Sequence, residues 1–214
     1  MATQIAVQIA ILILTLAIFY SIHYVSKQTL TKIRTKNRTT VQTSRHLAQA
    51  TSLLSRAKST PDKSKSQTIA KHALTEVQMA LSLDPKDPQL HIVKARILEF
   101  KGHESSALKS IDLALNLPRV KLLALKERGE ALVARAELKL KVNTKRRVDS
   151  AVEDLKEAVR VSEGECNFKA LCLLSECYTL KGLKEDARKQ ALEEALSVGP
   201  GYISNRNGLD QLGL

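Results

Sequence analysis

The sequence predicts an all-α protein: a short α-solenoid of stacked antiparallel helix pairs preceded by one transmembrane helix. Three observations carry this prediction. The run from Ile5 to Val25 is long, apolar and free of formal charge. Behind it, small residues recur at fixed helical spacing in successive segments. Eight Gly and five Pro in 214 residues are too few for the many turns of an all-β domain, while 43 % hydrophobic residues suffice for a packed core.

The N-terminal element comes first. Ile5 to Val25 covers roughly 31 Å as a helix, enough for a hydrocarbon core of about 30 Å. Tyr20, His23 and Tyr24 stand at its C-terminal end, where amphipathic rings prefer the interface. A cleaved signal peptide is the rival. It needs a basic leader and a small-x-small cleavage site, and Met1 to Gln4 carries no basic side chain while the run ends in bulky residues. The expected organisation is an anchor at 1–26, a basic juxtamembrane linker at 27–39, a repeat domain at 40–200 and a cap or tail at 201–214. Lys27, Lys32, Arg34, Lys36 and Arg38 follow the span directly, so positive-inside logic puts the C-terminal domain in the cytosol. The endoplasmic reticulum and organelle outer membranes both accept such an anchor. The sequon at Asn37 reports the opposite topology if it is glycosylated.

Charge is uneven. Between Lys27 and His72 eleven Lys and Arg face the single acid Asp62, so nearly all of the net +12 lies beside the anchor. Lys27, Lys32, Arg34, Lys36 and Arg38 are the candidates for anionic headgroup contact; the plainer reading is that they only set topology. Nucleic acid is excluded as a partner because the tract lacks interleaved aromatics for stacking. A second basic cluster, Lys139, Lys141, Lys145, Arg146 and Arg147, reads as a solvated helix end and loop.

The repeat is legible in four units. The last carries Leu171, Leu174, Ser175 and Tyr178, then Gly182, Ala187, Ala191, Ala195 and Pro200. The third carries Leu125, Arg128, Gly129 and Leu132, then Ala151, Leu155 and Ala158, with about ten residues inserted around Val142-Asn143-Thr144. The second has His91, Lys94, Ala95 and Leu98, Gly102 at the turn, then Ala107, Ile111, Ala114 and Pro118. The first has Ala73, Val77, Ala80 and Pro85, with a long polar loop expected from Ser59 to Ser66. Small residues allow two helices to approach closely, and larger ones fill the holes beside them. Asp84-Pro85 and Asp87-Pro88 end one helix and start the next. Helices are expected at 40–58, 66–83, 88–101, 104–116, 120–142, 148–162, 166–181 and 184–197.

On these residues the chain resembles the tetratricopeptide repeat family over 40–200, and it is similar to a plant-type group of such proteins with one N-terminal anchor. It departs from the family pattern in having no Trp. The resemblance implies a binding scaffold, not an enzyme, whose first helices line a concave groove. It puts Gln89, Ile92, Arg96 and Glu99 there from the second unit. Leu123, Lys126, Glu130 and Val133 come from the third, and Lys169, Cys172, Glu176 and Thr179 from the last. A subgroup of the family clamps acidic chaperone tails with Lys, Asn and Arg. Leu47, Thr51, Val93, Leu123 and Glu127 stand where those groups would be needed, which disfavours such a ligand.

No catalytic, metal or cofactor site is read from spacing. Cys166, Cys172 and Cys177 lack both a C-x2-C pair and a nearby His, and read as small apolar residues. The five His are scattered, and no phosphate-binding glycine loop occurs. The expected role is that of a membrane-anchored adaptor holding a protein or peptide at the cytosolic face of a membrane. The alternative is a lipid-proximal structural or self-associating module. Partner identity and oligomeric state are not encoded in these patterns.

Overall fold

The computed structural model describes residues 2–161 and 165–181, with side chains described at 8, 12–21, 39–161 and 168–181. The expected helix at 184–197 and the tail at 201–214 lie outside the described residues, as do the side chains of Lys27, Lys32, Arg34, Lys36, Asn37 and Arg38. Among the described residues six α-helices and one short 3-10 helix follow in chain order: α1 (Ala2–Ser59), α2 (Lys63–Leu83), α3 (Pro88–Phe100), α4 (Glu104–Asn116), the 3-10 helix (Pro118–Leu122), α5 (Leu125–Val161) and α6 (Glu165–Leu180). No strand occurs among the described residues.

α1 is a single helix of 58 residues. No Gly or Pro interrupts the sequence before Pro61, so nothing breaks the helix between the apolar run and the first repeat. Residues 27–39, read from sequence as a linker, have helical backbone. The polar loop expected from Ser59 to Ser66 is also shorter than its composition suggests. Asp62 caps α2 by accepting from the Ser64 and Lys65 amides at 2.9 and 3.3 Å. The Ser66 hydroxyl, buried, donates to the Ala57 carbonyl of α1 at 2.7 Å. Serine and aspartate here satisfy helix ends, and only residues 60–62 separate the two helices.

α3 and α4 form the second hairpin. Asp87 caps α3 through the Gln89 amide at 2.9 Å, with Pro88 in the first turn. Gly102 ends the helix with φ +79°, and the His103 and Gly102 amides return to the Leu98 and Glu99 carbonyls, both at 2.9 Å. That is the left-handed cap for which glycine is suited.

The third hairpin differs from the expected one. The first helix starts at Leu125 and not at 120, because Pro118 opens a 3-10 turn and Leu123 is extended. The ten extra residues form no loop. They lengthen both arms, 125–142 and 144–161, which meet at Asn143, whose φ −163° and ψ 92° leave the helical region. The Asn143 side chain accepts from the Arg146 amide at 3.1 Å and caps the second arm.

Among the described residues three large apolar clusters hold the stack together, beside a small one of Phe168 and Leu171. One joins α1, α2 and α3 around Val77, Leu90 and Ile97. The next joins α3, α4 and the first arm of α5 around Ile111 and Leu138. The last joins both arms of α5 with α6 around Leu155 and Cys177. The second helix of each hairpin buries the same ladder: Ala73, Val77 and Ala80, then Ala107, Ile111 and Ala114, then Ala151, Leu155 and Ala158, all 0 % exposed. Each cluster spans neighbouring hairpins, so no hairpin buries its apolar face alone.

Candidate peptide-binding groove

The first helices of successive hairpins, α1, α3 and the first arm of α5, with α6 beside them, line a groove of about 560 Å³. Arg96 and Glu99 reach it from α3, Lys126 and Glu130 from α5, and Lys169 from α6. Of the twelve positions read as concave, these five therefore converge, and Val133 joins them. Lys58, Phe100, Ala134 and Glu137 also line it. Lys58 escaped sequence reading because the displaced first repeat hid its register. Phe100 and Glu137 each continue a helix face already marked, at i+4 from Arg96 and one heptad from Glu130.

Three predicted residues lie elsewhere. Ile92 is 5 % exposed and packs in the core between α3 and α4. Its position three before Ala95 makes it a packing residue, which corrects its assignment to the groove. Gln89 stands at a smaller cleft near the start of α3, with Arg119 and Leu122, and donates to Glu127 at 2.8 Å. Glu176 is exposed on α6 away from the groove lining. Of the further positions read as concave, Val133 lines the groove, while Leu123 lies in the small cleft.

The groove charges are largely paired across neighbouring helices. Arg96 meets Glu130 at 2.8 Å, one repeat period away. Lys141 meets Glu99 at 2.6 Å and Lys169 meets Glu137 at 2.8 Å. The hydrogen bond to Glu99 holds the Lys141 ammonium above its ordinary pKa. Such half-exposed pairs contribute little stability each, but they fix the facing of adjacent helices. Among the described residues no ion pair reaches Lys58 or Lys126. The groove thus offers a mixed floor with two uncompensated cations.

Behind the groove, Asp154 of the second arm is buried with two cations of the first. Arg135 donates to it through Nε and a terminal nitrogen at 2.9 and 2.5 Å, and Lys139 approaches at 2.7 Å. Lys139 and Lys141 are therefore paired, which corrects that part of the basic cluster read as a solvated end, while Lys145 and Arg146 are exposed. Cys177 is fully buried, and burial pushes its thiol up to about 11. No group of His, Cys, Asp and Glu that could hold a metal ion occurs among the described residues. The positions a chaperone-tail clamp would need are committed otherwise. Val93 is core, Leu47 packs against it, and Glu127 holds Gln89.

No family model and no curated protein matches the chain. Solved structures do. A crystal structure of MamA superposes with a TM-score of 0.53 at 18 % identity, covering 67 % of this chain and 76 % of that one. A second MamA structure gives 0.50 at 14 %, covering 73 % and 76 %. The chain has a tetratricopeptide-repeat-like α-solenoid fold. The first repeat domain of Spaghetti (RPAP3), bound to the HSP90 peptide SRMEEVD, gives 0.46 at 18 % identity, covering 63 % and 94 %. At these identities the likeness concerns fold, and the site must be argued from its own residues.

Proposed function

We propose that the protein is a membrane-anchored scaffold that holds a protein partner's peptide segment in the groove between its first helices. The observation that carries this is the convergence of Arg96, Glu99, Lys126, Glu130 and Lys169 on one open groove, with Lys58 and Lys126 uncompensated. An extended peptide suits that shape. Acidic side chains would answer the two free cations, and an apolar one would rest on Phe100 and Val133.

The anchor is argued separately. Among the described residues no helix is long and apolar enough to cross a membrane; within the run from Ile5 to Val25 the side chains at 5–7, 9–11 and 22–25 lie outside those described. Where side chains are described, Leu12, Ile13, Leu14, Leu16 and Ile18 each expose more than half their surface. A helix apolar on all sides and uncovered by protein is suited to lipid. The basic flank supports a cytosol-facing repeat domain on the endoplasmic reticulum or an organelle outer membrane.

A photo-crosslinking residue at Lys126, compared with one at the exposed Glu153 of the outer helix, tests the groove. The expected result is a discrete partner band at 126 alone, weakened about tenfold by Arg96→Glu. Equal labelling at both positions would sink the groove reading. Resistance to alkaline extraction, with Asn37 unglycosylated and a C-terminal tag open to protease, is expected for the anchor and its orientation.

A further inference from the structure

The two ends of the helix stack differ in chemistry. Antiparallel hairpins bring the start of the first-repeat part of α1, the α2–α3 turn and the α4–α5 connection to one end. His46 facing Glu76 at 2.7 Å fixes this register between α1 and α2. Arg119 bonding Asp84 at 2.6 Å ties the 3-10 helix to the α2–α3 turn. At this end large apolar side chains stand in solvent: Leu122 is 82 % exposed, Val41 69 % and Leu125 65 %, with Leu113 and Leu83 behind them. Met79 lies one turn further in. The opposite end consists of Thr60 to Ser64, Lys101 to Glu104 and Asn143 to Lys145, all polar but for Pro61 and Gly102, and Leu180 is its one exposed large apolar side chain among the described residues.

A soluble surface has no reason to gather its exposed leucines at one end. α1 supplies one, because its apolar run extends from that same end. We infer that the 3-10 loop, led by Leu122 and Leu125, is a second membrane contact that lays the solenoid against the anionic bilayer holding the anchor. This rests on the anchor reading above.

Charge and reach both agree. Lys86 and Lys121 are exposed at this end, and no ion pair engages them among the described residues. Of the neighbouring acids, Asp84 is paired with Arg119, while Asp87 and Glu127 keep their charge and accept from the neutral amides of Gln89. Leucines between lysines are what an interfacial loop needs, since apolar insertion and headgroup attraction add. The helix from the end of the apolar run to residue 39 is roughly 20 Å long. The loop belongs to the third first-helix of the stack, so at 8–10 Å per helix it stands about 20 Å to the side of α1. A tilt of about 40°, the upper end for membrane helices, lowers it by roughly 13 Å to headgroup level.

The absence of Trp from the chain gives a direct test. Leu122→Trp and, separately, Lys145→Trp at the polar end are made in the full chain, with helical circular dichroism confirming the fold. Each is reconstituted into phosphatidylcholine vesicles with about 30 % phosphatidylserine, with and without brominated acyl chains. The expected result is that Trp emission at 122 shifts to the blue and loses about half its intensity to bromine, while that at 145 is unaffected. Lys86→Glu with Lys121→Glu should cut the quenching at 122 at least about twofold. A chain that resists alkaline extraction but leaves the 122 reporter in water overturns the loop inference and spares the anchor. A chain released by alkali overturns the anchor reading and the loop with it.

Discussion

The second and third hairpins share one packing ladder and close it differently. Ala107, Ile111 and Ala114 in one match Ala151, Leu155 and Ala158 in the other, all fully buried. The second hairpin uses helices of 13 residues each and a left-handed glycine turn. The third spreads over a 37-residue element broken only at Asn143. The ladder position just before the central residue shows the difference most clearly. In the second hairpin it is Ser110, whose hydroxyl donates to the His91 carbonyl at 3.0 Å. In the third it is Asp154, gripped by Arg135 and Lys139. In the first hairpin the same position is Glu76, facing His46. Small apolar residues set the approach of the helices, and one polar residue per hairpin locks it with whatever chemistry the facing helix offers.

Breaking that polar lock should produce the largest effect. Asp154→Ala leaves Lys139 partly buried without a counter-charge and Arg135 with only Asp112 at 3.6 Å, at a cost of about 3 kcal/mol. Ser110→Ala removes one neutral hydrogen bond and should cost about 1 kcal/mol. Because a repeat array responds locally, amide hydrogen exchange is the better measurement. Exchange should accelerate through α5 in the first variant and leave α3 and α4 nearly unchanged. Equal destabilisation by both variants would mean that the ion cluster is an ornament of a fold held by the ladder alone.

Alkali should separate the hairpins next. Cys177 of α6 packs against the third hairpin, and its folded thiol lies near 11 against an ordinary value of 9.0. The folded state therefore keeps its proton after the unfolded chain has lost it. Stability from this group is complete below pH 9 and is lost as pH rises toward 11, by about 2–3 kcal/mol. Urea unfolding from pH 8 to 11 should show that slope, and Cys177→Ala should flatten it. The second hairpin core holds no thiol, so its exchange should show no such step.

Much of this was legible beforehand, for a physical reason. Helix–helix approach is governed by residue size at fixed spacing, and size is written in the sequence. The ladders of α2, α4 and α5 and the face carrying Arg96, Lys126 and Lys169 follow from it. Ile92 was misplaced because one turn of helix separates groove from core, and periodicity alone cannot resolve a boundary residue. The polar stretch from Ser59 to Ser66 and the insertion at Asn143 were read as loops from composition, yet serine, aspartate and asparagine there cap helices. Whether such residues open a loop or close a helix depends on which backbone amides they reach. The Arg135–Asp154–Lys139 cluster was invisible because it needs two arms to be folded together.

The two turns offer the smallest and sharpest test. Gly102 has φ +79°, and an added Cβ would meet nothing within 4 Å. Gly102→Ala therefore carries only the conformational cost of a left-handed L-residue, about 1 kcal/mol. Asn143 is extended, a backbone any residue adopts, and its role is the cap on the Arg146 amide. Asn143→Ala should cost a similar amount, about 1 kcal/mol, for a different reason. Replacement chemistry separates them. Asn143→Asp keeps an acceptor and should restore nearly all of the loss, while Gly102→Asn, which tolerates positive φ, should restore only part of it. If Gly102→Ala proves silent and Asn143→Ala does not, the short hairpin is held by its ladder and the long one by its cap. Length, and not the turn residue, would then decide where a hairpin of this kind needs local help.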